Sequence, residues 1–78
     1  MAKTTAYVLI ELKECDEQKV IQKLIEIPEV EEAHILFGEW DLIVKLSTNN
    51  TEDISTIIMD KIRKLPEVKI SSTMIVAR

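Results

Sequence analysis

Alternation of period two opens the chain. Residues 6–12 (AYVLIEL) put Val8, Ile10 and Leu12 on one side and Tyr7, Leu9 and Glu11 on the other, as a half-buried strand does. From Asp16 the period lengthens. Val20, Ile21, Leu24 and Ile25 recur at helical spacing, with Glu17, Gln18, Lys19, Gln22, Lys23 and Glu26 outside the stripe. Asp16 or Cys15 begins this predicted helix, and Pro28 ends it because a proline disfavours helical backbone in the residue before it. Residues 30–37 (VEEAHILF) alternate again, setting Ala33, Ile35 and Phe37 against Glu32, His34 and Leu36. After Gly38-Glu39 the alternation resumes, with Trp40, Leu42, Val44 and Leu46 opposing Asp41, Ile43 and Lys45. Two strands about a single glycine predict a hairpin with a tight turn. Asn50 or Thr51 then caps a second helix whose stripe is Ile54, Ile57, Ile58, Ile62 and Leu65, stopped by Pro66, and residues 68–77 form the last strand.

The chain repeats itself once. Ile27-Pro28-Glu29-Val30 returns as Leu65-Pro66-Glu67-Val68, 38 residues later (65 minus 27), each copy at a helix-to-strand junction. Two similar halves in the order βαββαβ predict an α+β, ferredoxin-like two-layer sandwich: one domain spanning 1–78, with both helices on one face of a four-stranded antiparallel sheet.

That architecture leaves the other face of the sheet uncovered. If Val8, Ile10, Leu12, Ala33, Ile35, Phe37, Trp40, Leu42, Val44 and Leu46 meet the helices, the free face carries Tyr7, Leu9, Glu11, His34, Leu36, Asp41, Ile43 and Lys45. On the last strand Ser71, Thr73 and Ile75, alternating with Ile70, Ser72, Met74 and Val76, are expected to join that second face. A surface half apolar and half charged predicts sheet-to-sheet self-association in the manner of dimeric α/β barrels. About 800 Å² buried per subunit would be ordinary for a stable dimer.

Composition narrows the function. The chain has 78 residues, 46% of them hydrophobic and 31% charged, and a chain of this length buries only about 60% of the surface its unfolded form exposes. Covering the remainder with further copies would add stability. The net charge of −4 lacks the phosphate-neutralising footprint of an autonomous nucleic-acid binder. There is no run of about eighteen apolar residues to cross a membrane and no signal-peptide pattern at Met1–Thr5, so a cytoplasmic location is expected. Cys15 is the only cysteine and His34 the only histidine, which predicts neither an internal disulfide, nor a metal site, nor a cofactor.

Few residues offer chemistry. Gly38, the sole glycine, can take positive φ and open its amide to a ligand, or simply make the turn. Trp40 suits core or interface filling as well as a ligand platform. Asp41, close to the predicted interface, needs a partner, either Lys45 or the ammonium of a ligand. Ser71, Ser72 and Thr73 present hydroxyls suited to a ligand carboxylate. His34 has no serine or cysteine placed to pair with it, and Cys15 at a helix start could carry a lowered thiol pKa.

The segments AYVLIEL, IPEVEEAHILFGEWDLIVKL and LPEVKISSTMIVAR resemble, in order and spacing, the effector-binding domain of Lrp/AsnC regulators, also called the RAM domain. The most specific piece is Gly38-Glu39-Trp40-Asp41, with Trp40 where family members frequently have tyrosine. The resemblance implies a domain that dimerises through its sheets and joins into larger rings, often octamers, with an amino acid or related metabolite bound between dimers. It carries the site onto Gly38, Glu39, Trp40, Asp41, Ser72 and Thr73. Because only Met1–Thr5 precede the first strand, the chain is similar to stand-alone members without a helix-turn-helix. The expected function is amino-acid sensing by a self-assembling, non-enzymatic module, with a full-length Lrp/AsnC regulator as a further partner. A competing reading is a small dimeric α/β-barrel enzyme, a cofactor-free monooxygenase or isomerase, using His34, Trp40 or Asp41.

Overall fold

In the computed structural model, which describes residues 3–77, β1 (Thr4–Leu12) lies inside a four-stranded sheet of order β2-β3-β1-β4. The other elements are α1 (Glu17–Ile25), β2 (Val30–Ile35), β3 (Leu42–Thr48), α2 (Thr51–Ile57) and β4 (Val68–Ile75), and every strand pair is antiparallel. This is the ferredoxin-like βαββαβ sandwich. Met1, Ala2 and Arg78, which end the segments read above, lie outside the described residues.

Each helix starts as its first residues dictate. The Asp16 carboxylate accepts from the Gln18 N–H at 3.0 Å, and the Asn50 side-chain carbonyl accepts from the Asp53 N–H at 2.9 Å, each satisfying one of the donors a helix start leaves free. α2 continues into a π-helical turn, Ile58–Ile62, closed by the Arg63 N–H on the Ile58 carbonyl at 2.8 Å. Sequence periodicity does not separate this turn from an α-helix, because Ile54, Ile57, Ile58 and Ile62 remain on one buried face through it.

The core is a single layer between sheet and helices. Ala6, Val8 and Ile10 from β1 and Leu42, Val44 and Leu46 from β3 meet Val20 and Leu24 of α1 and the isoleucines of α2. Full burial of each Leu, Ile or Val contributes roughly 1.5–3 kcal/mol. β1 and β3 are the interior strands, so Ala6, Val8, Ile10, Leu42, Val44 and Leu46 are fully excluded from water, while Leu12 at the end of β1 is partly buried.

Four expectations need correction. The β2–β3 connection is not a tight turn: it takes the six residues Leu36–Asp41, and the strands stop at Ile35 and begin at Leu42. Phe37, expected against the helices, therefore lies outside the sheet and is fully exposed, and Trp40 is half-buried in the connection. Ile25 and Ile35, expected inside, are 49% and 39% exposed, because Ile25 closes the last turn of α1 and Ile35 ends an edge strand. Finally, Ser71, Thr73 and Ile75 pair with Ile10, Val8 and Ala6, so they lie on the helix side of the sheet. Ile70, Ser72 and Met74, paired with Glu11, Leu9 and Tyr7, hold the free face.

Candidate functional site

The Gly38–Asp41 segment is held against the end of β1. The Asp41 N–H donates to the Ile10 carbonyl at 2.9 Å, and the Asp41 carbonyl accepts from the Leu36 N–H at 2.8 Å. The Asp41 carboxylate accepts from the Leu12 N–H at 2.7 Å, on the β3 side of β1 just past the last β1–β3 pair, Ile10 with Leu42, where no strand partner reaches that donor. Lys45, expected as a partner for Asp41, lies instead 3.7 Å from Glu31 and 3.8 Å from Glu32. Asp41 thus has a structural partner, and its carboxylate also borders a shallow depression of about 220 Å³ lined by Leu12, Lys13, Glu14, Cys15 and Glu17.

Gly38 has φ +148°, backbone that side-chain-bearing residues rarely adopt, and a Cβ there would meet nothing within 4 Å. Its conformation calls for glycine while the space about it is open. Glu39 is exposed beside it and Trp40 half-buried.

Ser72 and Thr73 do not join this segment within one chain. Ser72 pairs with Leu9, three residues from Leu12 and so about 10 Å along β1, on the free face. Thr73 pairs with Val8 and points to the helix side. There it borders a depression of about 260 Å³ with Ile54, Ser55, Ile58, Met59 and Ile75. Of the six site residues read from sequence, the four consecutive ones stay together; the two hydroxyls lie on opposite faces of β4.

The free face has the mixed character its alternation predicted. Tyr7, Leu9 and Ile43 are half-buried at its centre, and Ile70 and Met74 are about half exposed. Charges rim it on the β2 side, where His34 lies 3.1 Å from Glu32. That hydrogen bond, ahead of the nearby Lys45 charge, holds the Glu32 carboxyl below its ordinary range. Cys15 departs from expectation. Partial loss of hydration, then the carboxylates of Glu67, Glu17, Asp16 and Asp41, push its thiol up instead of down. No group of three or more potential metal ligands occurs among the described residues, and no helix among them is long and apolar enough to cross a membrane.

Set beside known proteins, residues 5–78 match the family model described as the Lrp/AsnC ligand binding domain. The chain belongs to the Lrp/AsnC ligand-binding domain family. Over 75 residues it is 36% identical to an uncharacterised helix-turn-helix-type transcriptional regulator of Pyrococcus abyssi, covering 92% of this chain and 50% of that one. The chain therefore spans about half the length of such regulators. A crystal structure of a hypothetical protein from Pyrococcus horikoshii, PHS023, superposes with a TM-score of 0.90 at 43% identity, covering 96% of this Lrp/AsnC domain and 90% of that chain. A regulator from Neisseria meningitidis, NMB0573, solved as an L-Met complex, shares the fold with a TM-score of 0.87 at 16% identity, over 96% of this chain and 50% of that one.

Proposed function

We propose that this Lrp/AsnC domain senses a small molecule, an amino acid by class, as a self-assembled regulatory module without enzymatic activity, and that its assembly begins with pairing of the helix-free sheet faces. The observation that carries the reading is the separation of the site: Gly38–Asp41 lies open at one end of the sheet, while the Ser72 and Thr73 hydroxyls lie elsewhere on the same chain. A ligand needing both must be held where copies adjoin. Backbone amides about Gly38 and hydroxyls of β4 suit a carboxylate, and the acidic Asp41 and Glu39 suit an ammonium. The family match and the L-Met complex of the Neisseria regulator support the ligand class.

Such a ligand acts as a switch when its affinities for two assemblies differ, since it then draws the population toward the one that completes its site. Co-assembly with a full-length Lrp/AsnC regulator would use the same surfaces, placing the module within transcription control without requiring it to touch DNA. Calorimetric titration with the twenty amino acids, together with solution mass with and without each, tests the reading. Binding of at least one, with a change of mass or of assembly affinity, is expected; a set of titrations that shows no heat and no change in mass would reject it.

A further inference from the structure

A cluster of titratable side chains outside the Gly38–Asp41 segment stands on the β2 side of the free sheet face. Histidine is the one side chain that ordinarily changes charge between pH 5 and 8, and His34 is the only histidine in the chain. It pairs with Ile43 in the β2–β3 ladder, in the same row of the free face as Leu9 and Ser72. One step along, Glu32 pairs with Lys45, and its carboxylate lies 3.1 Å from His34 Nε2 and 3.8 Å from Lys45 Nζ. Glu31, at the register shift of β2, lies 3.7 Å from the same ammonium. Two carboxylates thus share one permanent cation, and a protonated His34 supplies a second.

The imbalance holds over the whole face. β1 adds Tyr7 and Glu11, and Glu11 is matched by Lys69 of β4 at 3.2 Å. Past the end of the β2–β3 ladder the Asp41 carboxylate is bound to the Leu12 N–H, and α1 packs on the opposite face of β2. With His34 neutral, the face therefore holds more carboxylates than amines. Two such faces repel as they meet, and the water that screens them is expelled. A proton on His34 takes one unit of that excess from each face. Loss of hydration by the imidazole works against the proton. His34, however, stands on an edge strand with its side chain 61% exposed, where the rim of a paired face stays in water, and the Glu32 carboxylate favours the charged ring.

We infer that His34 makes the pairing of free sheet faces a proton-linked switch, in which copies take up protons as their faces meet and assembly strengthens as pH falls from 8 to 6. The inference rests on the proposed pairing of sheet faces and on no ligand. Linkage fixes the sign: a paired state that binds protons more tightly than the single chain is fully supported below the histidine range and weakens as pH rises through it. Carboxylates do not supply this dependence, because they ionise below that window, and Glu32, held low by its hydrogen bond with His34, is ionised throughout it. The proton then acts as an effector of assembly at a place separate from Gly38–Asp41.

Sedimentation equilibrium of the whole chain at pH 6, 7 and 8, at constant ionic strength, tests this with wild type, His34→Gln, which stays neutral, and His34→Lys, which stays charged. The side chain is outside the core, so circular dichroism should report intact folding for all three. Each pKa unit by which pairing favours the charged ring is worth about tenfold per copy, and wild type is expected to dissociate at least about threefold more readily at pH 8 than at pH 6. His34→Gln should pair weakly at every pH, and His34→Lys as tightly at pH 8 as at pH 6. A wild type that pairs equally at both ends of the range, or more weakly at pH 6, overturns the switch while leaving the sheet-face contact standing. A His34→Gln variant that keeps the wild-type dependence does the same. A wild type that stays single at all three pH values rejects the pairing of faces and the switch with it.

Discussion

Lys23 Nζ lies 2.7 Å from Glu67 Oε2, joining α1 to the residue before β4, and the relationship has a mirror image: Lys61 Nζ lies 3.7 Å from Glu29 Oε1, joining the π-helical turn that extends α2 to the residue before β2. The offset of 38 residues that relates the two Pro-Glu-Val segments also relates the two lysines (61 minus 23), so each helix reaches across to the strand of the other half. The backbone repeats the pattern, with the Lys13 N–H donating to the Glu67 carbonyl at 2.8 Å and the Ser47 N–H to the Glu29 carbonyl at 3.0 Å. The internal repeat is thus a crosswise clasp between the two halves.

The clasp has a definite pH dependence. The hydrogen bond from Lys23, then Glu67's own backbone N–H, holds the Glu67 carboxyl below the ordinary glutamate range. A carboxyl depressed in the folded state contributes stability above its unfolded pKa and loses it as pH falls through the folded value. Glu67→Gln is therefore expected to lower the melting temperature near neutral pH and to make no difference well below the carboxylate range. Thermal unfolding of both proteins across acid and neutral buffers checks this; a constant gap at every pH would contradict it.

Asp41 separates structure from recognition. Asp41→Ala strands the Leu12 N–H, a loss of roughly 1–3 kcal/mol in denaturant unfolding. Asp41→Asn keeps an oxygen acceptor for Leu12 while removing the charge, so it should hold most of that stability and still weaken an amino-acid ligand. Equal stability losses in the two variants, with ligand affinity unchanged, would confine Asp41 to holding the end of β1.

Gly38 is expected to resist substitution for a conformational reason. The space beside its Cα is open, yet its φ of +148° disfavours any other residue, at a cost of order 1–3 kcal/mol. Gly38→Ala and Gly38→Val should therefore destabilise the loop about equally in unfolding experiments. A much larger effect for valine would point to crowding.

Cys15 should be a slow nucleophile despite its exposure. With hydration reduced and carboxylates around it, its thiol ionises above the ordinary range. The pH profile of its alkylation rate should have a midpoint above that of a free cysteine, and Glu67→Gln should move it down. A midpoint below free cysteine would restore the activation expected of a helix-start thiol.

The order of elements was legible in sequence because it rests on local rules. Asp16 and Asn50 cap as their chemistry requires, Pro28 and Pro66 stop the helices, and the alternation of β1 and β3 maps residue for residue onto buried and free faces. Alternation failed where strands end. It assigned Phe37 and Trp40 to a core face because it cannot see that pairing stops at Ile35 and resumes at Leu42. It also assigned Ser71, Thr73 and Ile75 to the wrong face, because which set of an edge strand points inward depends on register with β1, a long-range fact. The Gly38–Asp41 segment stood out through the only glycine and the family pattern. The Asp41–Leu12 hydrogen bond spans 29 residues and had no local signal. The depression at Thr73 arises only when α2 packs beside β4.

The most direct test is the solution mass of the folded protein on dilution, beside that of Leu9→Glu, which places a charge at the half-buried centre of the free sheet face. Wild type should sediment as a dimer or larger down to micromolar concentration, and Leu9→Glu should fall to a smaller species while keeping its secondary structure. A wild type that remains folded as a monomer across that range, or a Leu9→Glu variant that assembles unchanged, would contradict pairing through this face.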